Sequence, residues 1–289
     1  MRDTLTRLGV DVEIVTITTS GDERSGRPSQ AVPGDKSRFV KEIEEALLAG
    51  EVDLAVHSAK DVPAELPDGL AIVGVTERAD ARDALCLAAG GGGTLDDLAE
   101  GAVVGTASLR RRAQLLAARP DLKVRPLRGN VDTRLRRLGE GEMSAIVLAA
   151  AGLARLGREE GAPIAESVMT PAAGQGCLAL EARADDDRAR ELAGRLTHRE
   201  SLAELTGERA LVGGIDASCY TPVGAHARLG DGVMRLDAFV GMPDGSAWIR
   251  DSMEGSAEEP GALGAAVAAR LLSAGAGELL AGAERWSED

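Results

Sequence analysis

The feature that most narrows the possible folds is a change of rhythm along the chain. Up to about residue 150, strand-length apolar runs alternate with stretches whose apolar residues recur at helical spacing. Val12, Ile14, Val15 and Ile17 read as a short β-branched strand, followed by a polar, glycine-bearing loop from Ser20 to Ser37. Phe39, Val40, Ile43, Ala46 and Leu47 then share one helical face, with Ser37 placed to cap the helix and Gly50 to end it. Further strands are expected at 52–57, 70–75, 84–88, 102–105, 123–127 and 144–148. Helices are expected at 108–118, stopped by Pro120, and at 130–138. Such alternation predicts predominantly parallel strands under helices, the α/β class. Past residue 220 the rhythm differs. Strands at 223–229, 233–240 and 247–251 are joined by turns at Gly230-Asp231-Gly232 and Pro243-Asp244-Gly245. A helix with Leu263, Val267 and Leu271 on one face closes the chain, giving a small α+β domain of three antiparallel strands. The stretch Ala88–Gly93 is the expected flexible loop, and 289 residues are enough for two or three domains.

Charge separates along the chain as sharply as secondary structure does. Between Arg110 and Arg137 stand nine arginines (110, 111, 112, 119, 125, 128, 134, 136 and 137) and Lys123 against Asp121 and Asp132. That window carries +8 in a chain of net charge −14, which leaves −22 on the rest. Ser108 caps a helix whose first turn holds Arg110, Arg111 and Arg112, where cations oppose the helix dipole. A local rule broken in this way marks a functional site, and an anion bound there would offset the repulsion. The free N–H groups, the Thr106 and Ser108 hydroxyls and the arginine forks would hold it. Asn130 opens the next helix with Arg134 one turn in, and Arg128 ends the preceding strand. Both junctions aim cations at one edge of a sheet, the edge where open α/β sheets bind ligands. The ligand expected is a small molecule with several carboxylates or phosphates. For Arg112, Arg119, Arg136 and Arg137 a solvated face with local ion pairs is the competing reading.

The same composition excludes some partners. A net negative charge repels nucleic acid and anionic membranes at long range, and aromatic residues make up only 2% of the chain, too few for base-stacking platforms. No apolar run approaches membrane-spanning length, and no signal-peptide pattern opens the chain. Three cysteines with no Cys-x-x-Cys pair fit a reducing compartment, so a cytoplasmic protein is expected.

Two further segments carry chemistry. After the apolar run 52–56 comes His57-Ser58-Ala59-Lys60-Asp61-Val62-Pro63, polar groups at a strand end stopped by proline. Asp61 is a candidate general acid/base, and Ser58 and Lys60 are candidate anion ligands, against the alternative of a capped turn with surface charges. His57 reads as a structural histidine. Cys86 and Cys177 lie in apolar runs and read as core residues. Cys219 lies in the loop Gly213–Pro222 between a helix and a strand, where an exposed thiol is either a covalent anchor or an unreactive loop cysteine.

Taken together the chain resembles the porphobilinogen deaminase family in six ordered motifs. They are Val56-His57-Ser58-Ala59-Lys60-Asp61-Val62-Pro63, Gly105-Thr106-Ala107-Ser108-Leu109-Arg110-Arg111 and Leu127-Arg128-Gly129-Asn130-Val131-Asp132-Thr133-Arg134. Ala151-Gly152-Leu153-Ala154-Arg155-Leu156-Gly157 and Pro171-Ala172-Ala173-Gly174-Gln175-Gly176 follow, then Glu208-Arg209-Ala210 with Cys219 and Pro222-Val223-Gly224 at the family's distance. The resemblance implies two α/β lobes like those of periplasmic binding proteins, residues 1–78 with 176–195 and residues 79–175, and a cofactor-carrying α+β domain at 196–289. It implies a dipyrromethane cofactor joined to Cys219 by a thioether, onto which four porphobilinogen units are condensed with loss of ammonia, releasing hydroxymethylbilane in tetrapyrrole biosynthesis. Every pyrrole carries an acetate and a propionate, so an arginine-lined cleft suits the growing polyanion.

By the same resemblance Asp61 stabilises the electron-poor azafulvene formed on deamination and handles protons. Lys60, Ser58, Thr106, Ser108, Arg110 and Arg111 would hold the cofactor, and Arg128, Arg134, Arg155, Lys36 and Gln175 the substrate. A monomer without metal is implied. Three departures stand out. The family opens with a strand and a helix bearing an arginine and a serine, whereas Met1-Arg2-Asp3 matches only the end of that helix: either the start is assigned too late, or the first strand is lost, which would expose a sheet edge and remove an active-site arginine. The loop Val32–Phe39 departs from a glycine-rich pattern, and Ser218 replaces a glycine. Against an active transferase stands a non-catalytic polycarboxylate-binding module of the same fold. A nucleic-acid binder would show steeply salt-dependent affinity.

Overall fold

Three separate sheets organise the chain, each covered by helices that bury its apolar face. The computed structural model describes residues 1–17, 37–63, 65–88, 90, 93–217 and 221–286. After a short helix α1 (Arg2–Arg7) and the helix α2 (Ser37–Leu48), the first sheet takes β1 (Ala55–Ser58), β2 (Leu70–Val75) and β8 (Leu178–Arg183) in the order β1-β8-β2. The second sheet has the order β5-β4-β6-β3-β7, from β3 (Asp83–Leu87), β4 (Val103–Gly105), β5 (Lys123–Arg125), β6 (Ala145–Ala149) and the two-residue β7 (Ala162–Pro163). Helices α3 (Leu109–Ala118), α4 (Val131–Gly139) and α5 (Ala150–Arg155) connect its strands. Helices α6 (Asp187–Leu196) and α7 (Arg199–Gly214) lead to the third sheet, a meander of β9 (Val223–Gly230), β10 (Val233–Gly241) and β11 (Trp248–Ser256) in the order β11-β10-β9. Helices α8 (Pro260–Ser273) and α9 (Ala276–Arg285) complete the described chain. The architecture is thus mixed α/β, with two sheet-and-helix lobes and a three-stranded antiparallel sheet backed by helices.

The helix ends follow from local chemistry. Ser108 Oγ accepts from the Arg111 amide, Asn130 Oδ1 from the Thr133 amide and Asp186 Oδ1 from the Ala189 amide, each satisfying an N-terminal donor. Alanine, leucine and valine fill the interior as the scarcity of aromatics requires. Leu85, Leu115, Val104 and Val147 pack in the second lobe, and Leu211, Met234, Leu236, Val267 and Leu271 in the third sheet's core.

Four expectations need correction. Residues 10–17 form no strand: Ile14 and Val15 are exposed, and no described strand edge pairs with the run. A β-branched pattern supplies propensity, but ladder partners decide a strand. The loop at 20–36 lies outside the described residues. Second, strand pairing is not predominantly parallel. Only β4 with β5 and β4 with β6 run parallel, whereas β1–β8, β2–β8, β3–β6 and β3–β7 are antiparallel. Strand β8 enters its sheet after the chain has crossed to the second lobe and back, which reverses its direction. Third, β11 continues to Ser256, five residues beyond the expected end. Fourth, α8 does not close the chain. Gly275 turns it with φ +98, and α9 packs on the same core through Leu280.

One buried carboxylate fastens the crossovers between lobes to the third unit. Glu208, in α7, accepts from both terminal nitrogens of Arg78, at 2.8 and 3.0 Å, and from the amides of Gly174 (2.7 Å) and Ala227 (2.8 Å). Arg78 and Gly174 lie on the outgoing and returning crossovers and Ala227 in β9. Arg250 in β11 makes a second link. It donates to the Val168 carbonyl and to Gln114 Oε1 while lying over the Phe239 ring at 5.1 Å.

Candidate active site

Strand β1 runs out into a tight helical turn, Ala59–Asp61, and Pro63 prevents its continuation. The turn is held by the Ala59 amide donating to the Cys177 carbonyl (3.1 Å) and the Val62 amide to the Ala59 carbonyl (3.3 Å). Lys60 and Asp61 are left half-buried at the end of the sheet. Lys60 Nζ lies 3.4 Å from Gln175 Oε1, so the returning crossover touches the turn. Gly174 makes that approach possible, since with φ +72 a Cβ there would lie 2.8 Å from the Ala59 carbonyl carbon.

Across the cleft, β4 ends at Gly105 and the chain turns into α3. Thr106 Oγ1 accepts from the Ser108 amide (3.2 Å), which sets the cap. Arg110 and Arg111 follow in the first turn, both buried. The anion facing them is the chain's own Asp83. Its Oδ2 lies 2.7 Å from Arg110 Nη1 and its Oδ1 2.8 Å from Arg111 Nη2. Burial alone would raise the Asp83 carboxyl, but the two guanidiniums, with Gln175 Nε2 donating at 3.0 Å, hold it well below the usual carboxylate range. Arg110 also donates to the Thr170 carbonyl and Arg111 to the Val147 carbonyl. Gln175 is thereby a connector between Lys60 and Asp83, with a further bond from its Nε2 to the Ala81 carbonyl at 2.6 Å.

Arg134 sits one turn into α4 and donates through Nε to the Gly129 carbonyl at 2.7 Å. Burial pushes its guanidinium down to about 10 and Arg111 adds to the shift, while Asp61 acts in the opposite sense. The Asp61 charge therefore acts on Arg134 from the opposite lobe. Arg155 reaches the Gly176 carbonyl at 2.6 Å, and Arg128 is exposed in the loop beyond β5, which ends at Arg125 and not at the expected 127. The remaining arginines serve local structure: Arg119 pairs with Asp121, Arg136 with Glu140 and Arg137 with Glu142. Arg112 bonds the Val124 carbonyl and lies over the Trp286 ring at 4.7 Å. Ser58 is half-buried at the end of β1, and Thr106 is buried. Lys36 and Cys219 lie outside the described residues.

Lobes and third unit meet at one pocket of about 130 Å³. Lys60 and Pro63 come from the first lobe, Ser108 and Arg110 from the second, and Arg209, Ala217 and Thr221 from α7 and the loop beyond it. Ala217 and Thr221 bracket the segment that contains Cys219. Burial pushes the Cys86 and Cys177 thiols up to about 11, as core cysteines require. Sequence reasoning singled out neither Asp83, Glu208 with Arg78, nor Arg209 as site components. An acid heading an apolar strand was the one available signal for Asp83.

This is a two-lobed ligand-binding fold whose cleft is completed by a third unit. Residues 1–191 match the description "Porphobilinogen deaminase, dipyromethane cofactor binding domain", and residues 202–273 match "Porphobilinogen deaminase, C-terminal domain". The chain belongs to the porphobilinogen deaminase family, whose place is tetrapyrrole biosynthesis and whose first domain binds the dipyrromethane cofactor. Solved structures show more distant likenesses. YhfZ from Shigella flexneri is 19% identical, covering 65% of this chain and 82% of that chain, with a TM-score of 0.30. The BvgS periplasmic VFT2 domain of Bordetella pertussis is 17% identical, covering 66% and 79%, with a TM-score of 0.34. An ancestral arginine-binding protein bound to glutamine is 17% identical, covering 68% and 76%, also at 0.34.

Proposed function

We propose that the chain is a hydroxymethylbilane synthase, a transferase that joins four porphobilinogen molecules head to tail on a dipyrromethane held by a thioether to Cys219. The observation that carries this reading is the convergence on one pocket of both lobes and of Ala217 and Thr221, the residues that flank the Cys219 segment in sequence. The residues fit the group. Lys60, Arg110 and Arg209 offer cations to acetate and propionate side chains, while Val62, Leu109, Val212 and Val223 supply apolar walls for pyrrole rings. The cofactor, when bound, would supply the free pyrrole α-carbon to which the first unit is added.

In each addition the substrate's C–N bond breaks and ammonia leaves. The freed methylene would then form a C–C bond to the next pyrrole, and one proton would be released for each unit joined. Asp61, next to Lys60 in the acid turn and within electrostatic reach of Arg134, would stabilise positive charge as ammonia leaves and take up that proton. Arg134, Arg155 and Arg128, with Lys36, would hold substrate carboxylates, while Ser58, Thr106, Ser108, Arg110 and Arg111 would orient the cofactor. Asp83, itself held by Gln175, pairs with the last two arginines and keeps them in register. The −14 charge and the three cysteines support a cytoplasmic enzyme working as a monomer on a small molecule.

The test is turnover. The purified chain with porphobilinogen should release ammonia and, after acid oxidation, yield a porphyrin absorbance, and Asp61→Asn should lower kcat by about 10²-fold or more. Binding of porphobilinogen without ammonia release would instead support a non-catalytic polycarboxylate-binding module.

A further inference from the structure

Beneath the acid turn lies a cluster of ionisable side chains of which the chemistry above uses only Arg209. Glu181, in the central strand β8, is completely buried, and its Oε2 lies 2.9 Å from Nε2 of the nearly buried His57 in β1. The strand register explains the encounter. Ala55 pairs with Glu181 and His57 with Ala179, so His57 and Glu181 are diagonal neighbours on one face of the antiparallel pair. Helix α7 brings in Arg209, whose guanidinium is pushed down by burial and supported by Glu181. Its Nη1 reaches the Val62 carbonyl at 3.4 Å. From α2, Glu44 turns toward the same place, its carboxyl raised by burial and by Glu181, with His57 acting in the opposite sense.

His57 is separated from the Ala59–Asp61 turn by Ser58 alone, and Val62 follows it directly. One carboxylate therefore pairs with the histidine that leads into the turn and lends negative charge to the arginine bonded just beyond it. Stability alone gives no reason to keep it. An apolar side chain in place of a buried ion cluster is often neutral or stabilising, whereas such clusters are best attested as devices that fix one geometry.

We propose that Glu181, acting through His57 and Arg209, is a positioning residue that fixes the Ala59–Asp61 turn and thereby the direction of the Asp61 carboxylate. The inference rests on Asp61 being the acid of the site. Glu181→Gln keeps shape and removes charge, His57→Gln removes the imidazole, and both would be made in the full chain. Two quantities are read: kcat and KM for porphobilinogen, and hydrogen exchange of the Ala59 and Val62 amides, with β2 as internal reference.

Glu181→Gln should lower kcat by roughly ten- to a hundredfold with little change in KM, the size of effect that a misplacement of about 1 Å has on a reacting group. The two amides should exchange about tenfold faster or more, while β2 is unchanged. Glu181→Asp should restore part of both, and the double variant should be no worse than the poorer single one, because the pair acts as a unit. Unchanged exchange in Glu181→Gln overturns the proposal, and so do losses that multiply in the double variant. If the unaltered chain releases no ammonia, the functional reading has failed, and the exchange comparison still decides the positioning role. If Glu181→Gln does not fold, His57→Gln carries the exchange test from an edge strand with the carboxylate intact: faster exchange supports the proposal and unchanged exchange overturns it.

Discussion

Replacing Asp83 by asparagine removes a negative charge from a place where the chain has buried two guanidinium groups. Asp83 is completely buried, 2.7 Å from Arg110 and 2.8 Å from Arg111, and both arginines are buried with it. Taking away one member of such a pair typically costs about 3–5 kcal/mol, because the partner charge stays buried and uncompensated. Two partners remain here, which argues for the upper end. However, an asparagine Oδ1 can still accept from Arg111 Nε and Gln175 Nε2, the bonds now at 2.9 and 3.0 Å, which argues for about 3 kcal/mol. At roughly 2–4 °C per kcal/mol for larger domains, the unfolding midpoint should fall by about 6–12 °C.

Calorimetry or circular dichroism between about pH 5 and pH 8 measures it. Although burial raises the Asp83 carboxyl, Arg110 and Arg111 more than reverse this, so its folded pKa is depressed. Its stabilisation is then complete above the unfolded value of about 3.9 and is lost only as pH falls below that. The gap between Asp83→Asn and the unaltered chain should therefore be flat from about pH 8 to 5 and close only in acid. A variant within about 1 kcal/mol at neutral pH would refute the reasoning. So would a gap that closes between about pH 7 and 5.5, because another group would then be in control.

Three further outcomes are expected. Gly174→Ala combines φ +72 with a Cβ 2.8 Å from the Ala59 backbone, so it should cost about 1–3 kcal/mol in urea unfolding and slow turnover by displacing the acid turn. Glu208→Gln leaves the buried Arg78 without its bidentate anion and should lower stability by about 3 kcal/mol, and an unchanged urea midpoint would contradict the clamp between crossovers and third unit. In a Cys219→Ser chain only Cys86 and Cys177 remain, both buried with thiols near 11, so a thiol reagent at about pH 8 should react at least about 100-fold more slowly than after denaturation. Rapid labelling of either thiol in the native chain would refute their placement in the core.

What could be read in the sequence was whatever local chemistry decides. The caps at Ser108 and Asn130, the strand at 70–75 and the two hairpin turns were legible because a side-chain acceptor, an apolar run or a left-handed glycine acts within a few residues. The run Val12–Ile17 shows the limit, since it has the composition of a strand and no partner among the described strands. The direction of β8 was hidden because it depends on an excursion that leaves the first sheet after β2, about a hundred residues earlier, and returns just before β8. In the site, the excess of arginine was visible but not its division of labour. Arg119, Arg136 and Arg137 are matched by nearby acids, whereas Arg110 and Arg111 are matched by Asp83, 27 and 28 residues away in sequence. Glu181 looked like one more charge in an apolar run, and only the register of β1 on β8 brings it under the acid turn.

The most direct test of the central claim is the intact mass of the denatured chain, expressed in a host that makes porphobilinogen. The account predicts retained extra mass equal to one dipyrromethane unit, present in the unaltered chain and absent from Cys219→Ser. An unmodified chain, or an adduct that survives the Cys219→Ser substitution, would contradict it.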